Sequence, residues 1–410
     1  MKKVNINIFF NIVSTMFTAF SPLIVIPIIT SSIGLELYGE FVAILSLCAV
    51  FVVLCDLGFG MYIPKYMNEK KLYKNVNKDL LIIFVVVKVV LSLLLLTLIT
   101  AFSNYSVTVL FTISAFVSIS NLNPTPIVTG LERYKLLAIT SLISKATLVL
   151  VALLASYEDF PVEVAMLVQT SMVLVTNLIL YTFLLRNLEM SKGQIVGAKE
   201  VYQFVKGALG FYFARLTVNV LNQGSTFLVS RFISNEGTAI YSLLVQLYKV
   251  GQALLGAISR VLYTNTLKTK CFKSLYFYSV CTVLCILFFS PIIYLFSNDV
   301  AAVLLSSTKA EINEFTLIIL LSLVFVSISS NYGYPALVAI GKEKYAHLGI
   351  FLPSLVYYLA FGLVIFFAEM TMFYALLCIL LTDLSSMLIR LFFASKFGVI
   401  KCFQNTKNIN

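Results

Sequence analysis

The chain is 410 residues long, 60% apolar and only 11% charged, with a mean hydropathy of +0.98 and a formal net charge of +11. So few charges cannot cover a water-soluble globular surface, so the bilayer is the solvent this composition fits. Backbone inside a bilayer must be satisfied within a helix or a closed barrel, and the long unbroken apolar runs exclude the short alternating segments of a barrel.

At roughly twenty apolar residues per crossing, spans are predicted in chain order over 6–30, 41–64, 80–102, 107–129, 137–156, 164–185, 208–232, 239–263, 274–297, 314–340, 349–368 and 371–394. This is an all-α polytopic membrane protein of about 12 transmembrane helices. The stretch from Asn5 to Thr30 is too long for the apolar region of a secretory signal and lacks a small-residue cleavage site, so it reads as the first span.

The connections alternate in charge. The two ends and every second connection hold 21 cationic residues, among them Lys65, Lys70, Arg133, Lys135, Lys268, Lys342 and Lys344, whereas the opposite set holds only Lys309 beside ten acids. Basic connections stay on the cytoplasmic side, which predicts both termini inside and acidic loops outside. The net charge thus points to anionic membrane lipids as neighbours and not to nucleic acid.

The amphipathic cytoplasmic connection 186–207 separates two sets of six spans, giving an N-terminal half 1–185, a C-terminal half 208–394 and a tail 395–410. A repeat supports the division. Pro124-Thr-Pro-Ile-Val-Thr-Gly130-Leu-Glu132-Arg133-Tyr134 matches Pro335-Ala-Leu-Val-Ala-Ile-Gly341-Lys-Glu343-Lys344-Tyr345 in the pattern P-x5-G-x-E-[RK]-Y. Gly34-x-x-x-Tyr38 after span one is echoed by Gly237-x-x-x-Tyr241 after span seven. Two pseudo-symmetric six-helix halves around a central cavity are the expected arrangement, with an axis along the membrane normal.

Charges within the spans are costly and need a wet cavity or a partner, at ~2.5 kcal/mol or more each. Lys88, Lys145, Arg215 and Lys249 lie deep; Arg231 and Arg260 sit near span ends and snorkel, and Arg390 falls in span twelve. Asp56 and Asp383 are the acids at similar depth, and each could pair with a cation. Span seven carries Arg215, Asn219, Asn222, Gln223 and Ser230 largely along one face, and span eight carries Gln246, Lys249, Gln252 and Ser259 on another. A cationic cavity suits an anionic substrate such as a pyrophosphate, while interhelical hydrogen bonding is the bland alternative for the amides. Prolines at Pro22, Pro27, Pro124, Pro126, Pro291, Pro335 and Pro353 are placed to bend helices. The seven cysteines show no CxxC spacing and read as small core residues, so no metal is expected, and the lone His347 is placed in a loop.

Pro22 and Pro27, then Gly34-Leu-Glu-Leu-Tyr38-Gly39, then Asp56-Leu-Gly58-Phe-Gly60, then Gly130-Leu-Glu132-Arg133-Tyr134 resemble the O-antigen flippases of the polysaccharide transporter family. That family belongs to the multidrug/oligosaccharidyl-lipid/polysaccharide exporter superfamily. The resemblance implies a transporter, not an enzyme, that moves an undecaprenyl-pyrophosphate-linked oligosaccharide across the inner membrane by alternating access. It implies an O-antigen polymerase and a chain-length regulator as partners. The residues read from the spans as the substrate site are Arg215, Lys249, Lys145, Lys88, Asn219, Asn222 and Gln223, and the resemblance implies a central cavity lined by the spans that carry Arg215 and Lys249. No cofactor is implied beyond a proton or sodium gradient, for which Asp56 and Asp383 are the candidate carriers; a structural Asp–cation pair is the alternative. A drug exporter of the same superfamily and a membrane-embedded O-antigen polymerase or ligase are the rival functions. The second would carry a large outer loop, which this chain lacks.

Overall fold

The computed structural model describes residues 2–70, 76–102, 105–156, 161–189, 198–269, 272–306 and 312–399. The helices are α1 (Lys2–Cys55), α2 (Phe59–Glu69), α3 (Lys78–Phe102), α4 (Val107–Asn121), α5 (Thr125–Gly130), α6 (Tyr134–Ala155) and α7 (Val162–Arg186). They continue as α8 (Ala198–Ser230), α9 (Asn235–Thr269), α10 (Lys273–Leu304), α11 (Asn313–Tyr332), α12 (Tyr334–Leu337), α13 (Glu343–Phe367) and α14 (Met372–Lys396). The only strands among the described residues are β1 (Val76–Asn77) and β2 (Leu188–Glu189), which pair in parallel.

Nine helical stretches among the described residues are long and apolar enough to cross a membrane. The first of them, Thr15–Glu69, holds the first two predicted spans. Helices α8 and α9, at 33 and 35 residues, exceed the length of a crossing at 1.5 Å per residue but carry too many polar side chains to qualify by composition. With these the chain is a multi-pass membrane protein of about twelve spans.

Two compact units divide the chain, Met1–Phe227 and Leu228–Asn410. In the first, α1 packs on α6, α4 and α7, and α2 packs on α5. One apolar cluster in it joins Phe59, Ile63, Met67, Phe84, Ile127 and Phe204. In the second, α14 packs on α11 and α13, and α11 also meets α9 and α10. Helix α10 leaves Phe288, Leu295 and Val303 about 70% exposed, an apolar face suited to acyl chains.

Helix α1 changes direction at Gly34, whose φ of 80° lies where a side chain is strained, so glycine separates the first two spans there. Three further spans break partway, and other helices take up the carbonyls each break frees. At Asp56–Gly58, where Leu57 and Gly58 both have positive φ, Cys55 O accepts from Lys88 Nζ (2.9 Å) and Leu54 O from Tyr212 Oη (3.2 Å). Between α4 and α5, Ile119 O accepts from Asn177 Nδ2 (2.6 Å) and Leu122 O from Tyr181 Oη (2.7 Å). Between α11 and α12, Ser330 O accepts from Ser259 Oγ, and Ser329 O, which keeps the N–H of Gly333 (3.0 Å), also accepts from Arg390 Nη1, both cross-helix bonds at 2.9 Å.

The repeat read in the sequence therefore has a structural form. Pro124 caps the short α5 after the break of span four, and Pro335 opens the short α12 after the break of span ten. Each short helix ends in a left-handed residue, Glu132 (φ 55°) or Gly341 (φ 73°), before Arg133 or Lys342 caps the next span. Tyr38 and Tyr241 of the second repeat are both buried, although Gly34 is left-handed and Gly237 lies in the first turn of α9.

Helix α8 passes close to α2 at Gly207. A Cβ there would stand 2.6 and 2.7 Å from Cζ and Cε2 of Tyr62, whose ring is held between Tyr66 and Phe204. Gly207→Val is expected to cost about 1–3 kcal/mol by overpacking, read as a lowered unfolding midpoint in detergent. An unchanged midpoint would show that Tyr62 yields freely.

Candidate functional site

The deep cations sort by what their heads touch. Lys88 is 4% exposed, donates to Cys55 O, lies 3.8 Å from Asp56 Oδ1 and stands 5.4 and 5.9 Å from the ring centroids of Phe59 and Phe84. Arg390 donates through Nε to Gly349 O (3.1 Å) and through Nη1 to the carbonyl and hydroxyl oxygens of Ser329 (2.9 Å each). Both cations close a break in a neighbouring helix and are committed within the protein. Asp56, whose side chain is one-third exposed, belongs to the same cluster as Lys88.

Lys145 and Lys249 differ. Each is half-buried, and neither has a carboxylate or carbonyl partner among the described residues. Lys145 Nζ touches only the thioether Sδ of Met172, at 3.1 Å. It lines a cavity of about 620 Å³ inside the first unit, with Thr18 from α1, Asn123 and Thr125 at the break of span four, Tyr134, Thr140, Ser141 and Ser144 from α6, and Thr176 from α7. That volume lies within the ~300–1,000 Å³ range of small-molecule sites. Apolar Leu137, Val173 and Leu180 complete the wall.

The second unit holds Asp383 on α14, 8% exposed, which accepts from Tyr248 Oη at 2.5 Å; Tyr248 in turn accepts from Gln252 Nε2 at 2.7 Å. Lys249 is the next residue along α9 but makes no ion pair with Asp383. Of the polar stripe on span seven, Asn222 and Gln223 are exposed, and the main-chain oxygen of Gln223 accepts from the Ser46 hydroxyl. The side chains of Arg215 and Asn219 lie outside the described residues. His347 is not in a loop: α13 begins at Glu343, ahead of the span predicted from 349, which places His347 in its first turn and a half, with Nδ1 3.1 Å from Tyr334 Oη.

Asn123, Tyr134 and Thr140, which line the cavity with Lys145, are not among the site residues expected from the sequence, although Tyr134 ends the repeat motif. A signal was there. Thr140, Ser141, Ser144 and Lys145 recur at helical spacing along span five, a polar face in an otherwise apolar helix.

The sequence matches the model of the polysaccharide biosynthesis protein family over residues 5–264. The chain belongs to this family. Among curated proteins none matches it at a significant level. In fold, the polysaccharide biosynthesis chain is similar to solved transporters at low identity. A multidrug resistance MATE family transporter of the MOP superfamily, in an inward-facing conformation, aligns at 13% identity and a TM-score of 0.63 over 96% of both chains. The eukaryotic MATE transporter AtDTX14 aligns at 14% identity and a TM-score of 0.63, over 96% of this chain and 95% of that one. A MOP superfamily transporter from Pyrococcus furiosus, described as having a binding pocket of reverse polarity that suggests a different function, aligns at 13% identity and a TM-score of 0.54, over 97% and 95% of the chains. The fold of the family member is thus that of MATE transporters along nearly its full length.

Proposed function

We propose that this protein flips an undecaprenyl-pyrophosphate-linked oligosaccharide unit from the cytoplasmic to the periplasmic face of the bacterial inner membrane, by alternating access of its two six-span halves, 1–185 and 208–394. The observation that carries this reading is the pair of half-buried lysines, Lys145 and Lys249, that no acid in the described residues neutralises. An unpaired cation at membrane depth is expensive, and an anionic substrate offsets that cost by charge-assisted hydrogen bonds. Membership in a polysaccharide biosynthesis family supports the glycan, and a transporter fold supports translocation over catalysis. The 21-to-1 division of cations between the two sets of connections supports termini on the cytoplasmic side. Asp383 and Asp56 are the proposed carriers of a coupling proton or sodium ion.

The likeness to multidrug transporters supports a second reading, export of a small molecule. One experiment separates the two. Deleting the gene in its own host is expected to deplete surface polysaccharide and leave lipid-linked units on the cytoplasmic face. Lys249→Ala, expressed at normal levels, is expected not to restore them. Unaffected polysaccharide with altered drug sensitivity would replace the flippase by an exporter.

A further inference from the structure

The cavity of the first unit offers an unusual set of donors. Among the described residues the one hydrogen-bond partner of Lys145 Nζ is the Met172 thioether. Thr140, 1% exposed, has a hydroxyl with no hydrogen-bond partner among the described residues. Asn123 spends its carboxamide oxygen on the backbone N–H (3.0 Å) and hydroxyl (2.5 Å) of Thr125, so its amide nitrogen is left to donate. Thr129, Ser144 and Thr176 already donate along their own helices, to Thr125 O, Ser141 O and Met172 O, and Thr18 and Ser141 share a hydrogen bond (3.4 Å) between α1 and α6; these hydroxyls retain lone pairs to accept with. The cavity thus presents one positive charge, a few neutral donors and a ring of acceptors. Lys145 lies three turns beyond Tyr134 along α6, roughly 16 Å at 1.5 Å per residue. The space is therefore elongated along the helix.

We infer that this cavity is a glycan subsite selective for a sugar bearing one carboxylate, which Lys145 pairs with while Asn123, Thr140 and the acceptor hydroxyls take the ring hydroxyls. The inference rests on the flippase reading and deepens it by naming the part of the substrate held here. A pyrophosphate carries more negative charge than one ammonium balances, and no second cation lines the cavity. A neutral drug would leave the buried ammonium and the Thr140 hydroxyl without partners, which is unfavourable. A carboxylated sugar satisfies both, because a hydroxyl-rich ligand needs donors and acceptors in the mixture the walls supply.

The test uses the full-length protein in lipid nanodiscs, with cellobiouronate, which bears one carboxylate, its neutral counterpart cellobiose and inorganic pyrophosphate as probes in calorimetric titration. Cellobiouronate is expected to bind more tightly than cellobiose, and Lys145→Gln to weaken it by on the order of tenfold, the weight of one charge-assisted hydrogen bond. Cellobiose should respond little to the same change. Thr140→Val, which keeps the volume and removes only the hydroxyl, is expected to weaken cellobiouronate several-fold and serves if Lys145→Gln does not fold. Equal binding of the acidic and neutral sugars, no binding of cellobiouronate, or displacement of cellobiouronate by pyrophosphate in a Lys145-dependent manner would each overturn the inference. These failures are distinct from failure of the flippase reading, which shows in the deletion strain as unchanged surface polysaccharide.

Discussion

Arg390→Met is expected to abolish most of the folded protein recovered from membranes. The guanidinium makes three hydrogen bonds, to Gly349 O, Ser329 O and Ser329 Oγ, and ties α14 to main-chain carbonyls of two other helices, whose further donors are Ser386 Oγ to Gly349 O (3.3 Å) and the Gly333 N–H to Ser329 O (3.0 Å). Charge-assisted bonds contribute about 1.5–3 kcal/mol each but not additively, so a net cost of about 3–5 kcal/mol is the expectation. That is a large share of a stability of about 5–15 kcal/mol. Arg390→Lys should recover part of the loss, since one ammonium reaches one carbonyl but cannot reproduce the planar fork. Gly349→Ala should act in the same direction, because its Cβ would meet Arg390 Cγ at 2.8 Å while the guanidinium is pinned beyond it. Size-exclusion profiles and unfolding midpoints in detergent check all three. A wild-type midpoint for Arg390→Met would mean that the span-ten break is held by other groups.

Lys88→Met should cost about 2–4 kcal/mol, most of it from the lost bond to Cys55 O. The ion pair adds less. At 3.8 Å, with the Asp56 side chain one-third exposed, it belongs with pairs worth about 1 kcal/mol or less. Asp56→Asn alone should therefore be mild, and the double mutant Lys88→Met/Asp56→Asn should recover no more than about 1 kcal/mol of the single loss. The outcome distinguishes two roles for Lys88. A destabilised protein places it in the helix break, whereas a wild-type midpoint with transport abolished would return it to the substrate site.

Much of the fold was legible because hydropathy acts span by span. Even α8 and α9, too polar to pass a composition test, were readable from length and from the charge alternation around them. The breaks were legible only where proline marks them. Pro124 and Pro335 announce the turns in spans four and ten, but nothing near Asp56 in the sequence says that Cys55 O will face a lysine 33 residues away. The same gap explains the site. Depth in a span identifies Lys88, Lys145 and Lys249 as cations that need company, yet whether that company is a carbonyl, a carboxylate or an open cavity is decided by helices remote in sequence. Thr140 is the sharpest instance: a lone threonine in a span is ordinary, and only the packing of α1, α5, α6 and α7 leaves its hydroxyl without an acceptor.

The cation-closed breaks also impose an order on biogenesis. As the nascent chain enters the membrane, the carbonyl of Cys55 waits for a residue 33 positions later, in the very next helix hairpin. The carbonyl of Gly349, left without a helix donor because Pro353 has no N–H, waits 41 positions, until α14 has been delivered. Until then the insertion machinery harbours a half-made turn with an open acceptor in hydrocarbon, where a missing partner is costly. Ribosomal stalling or premature termination between Gly349 and Arg390 would therefore leave a chain that quality-control proteases can distinguish from one stopped after α14, even though ten of its spans are already in place.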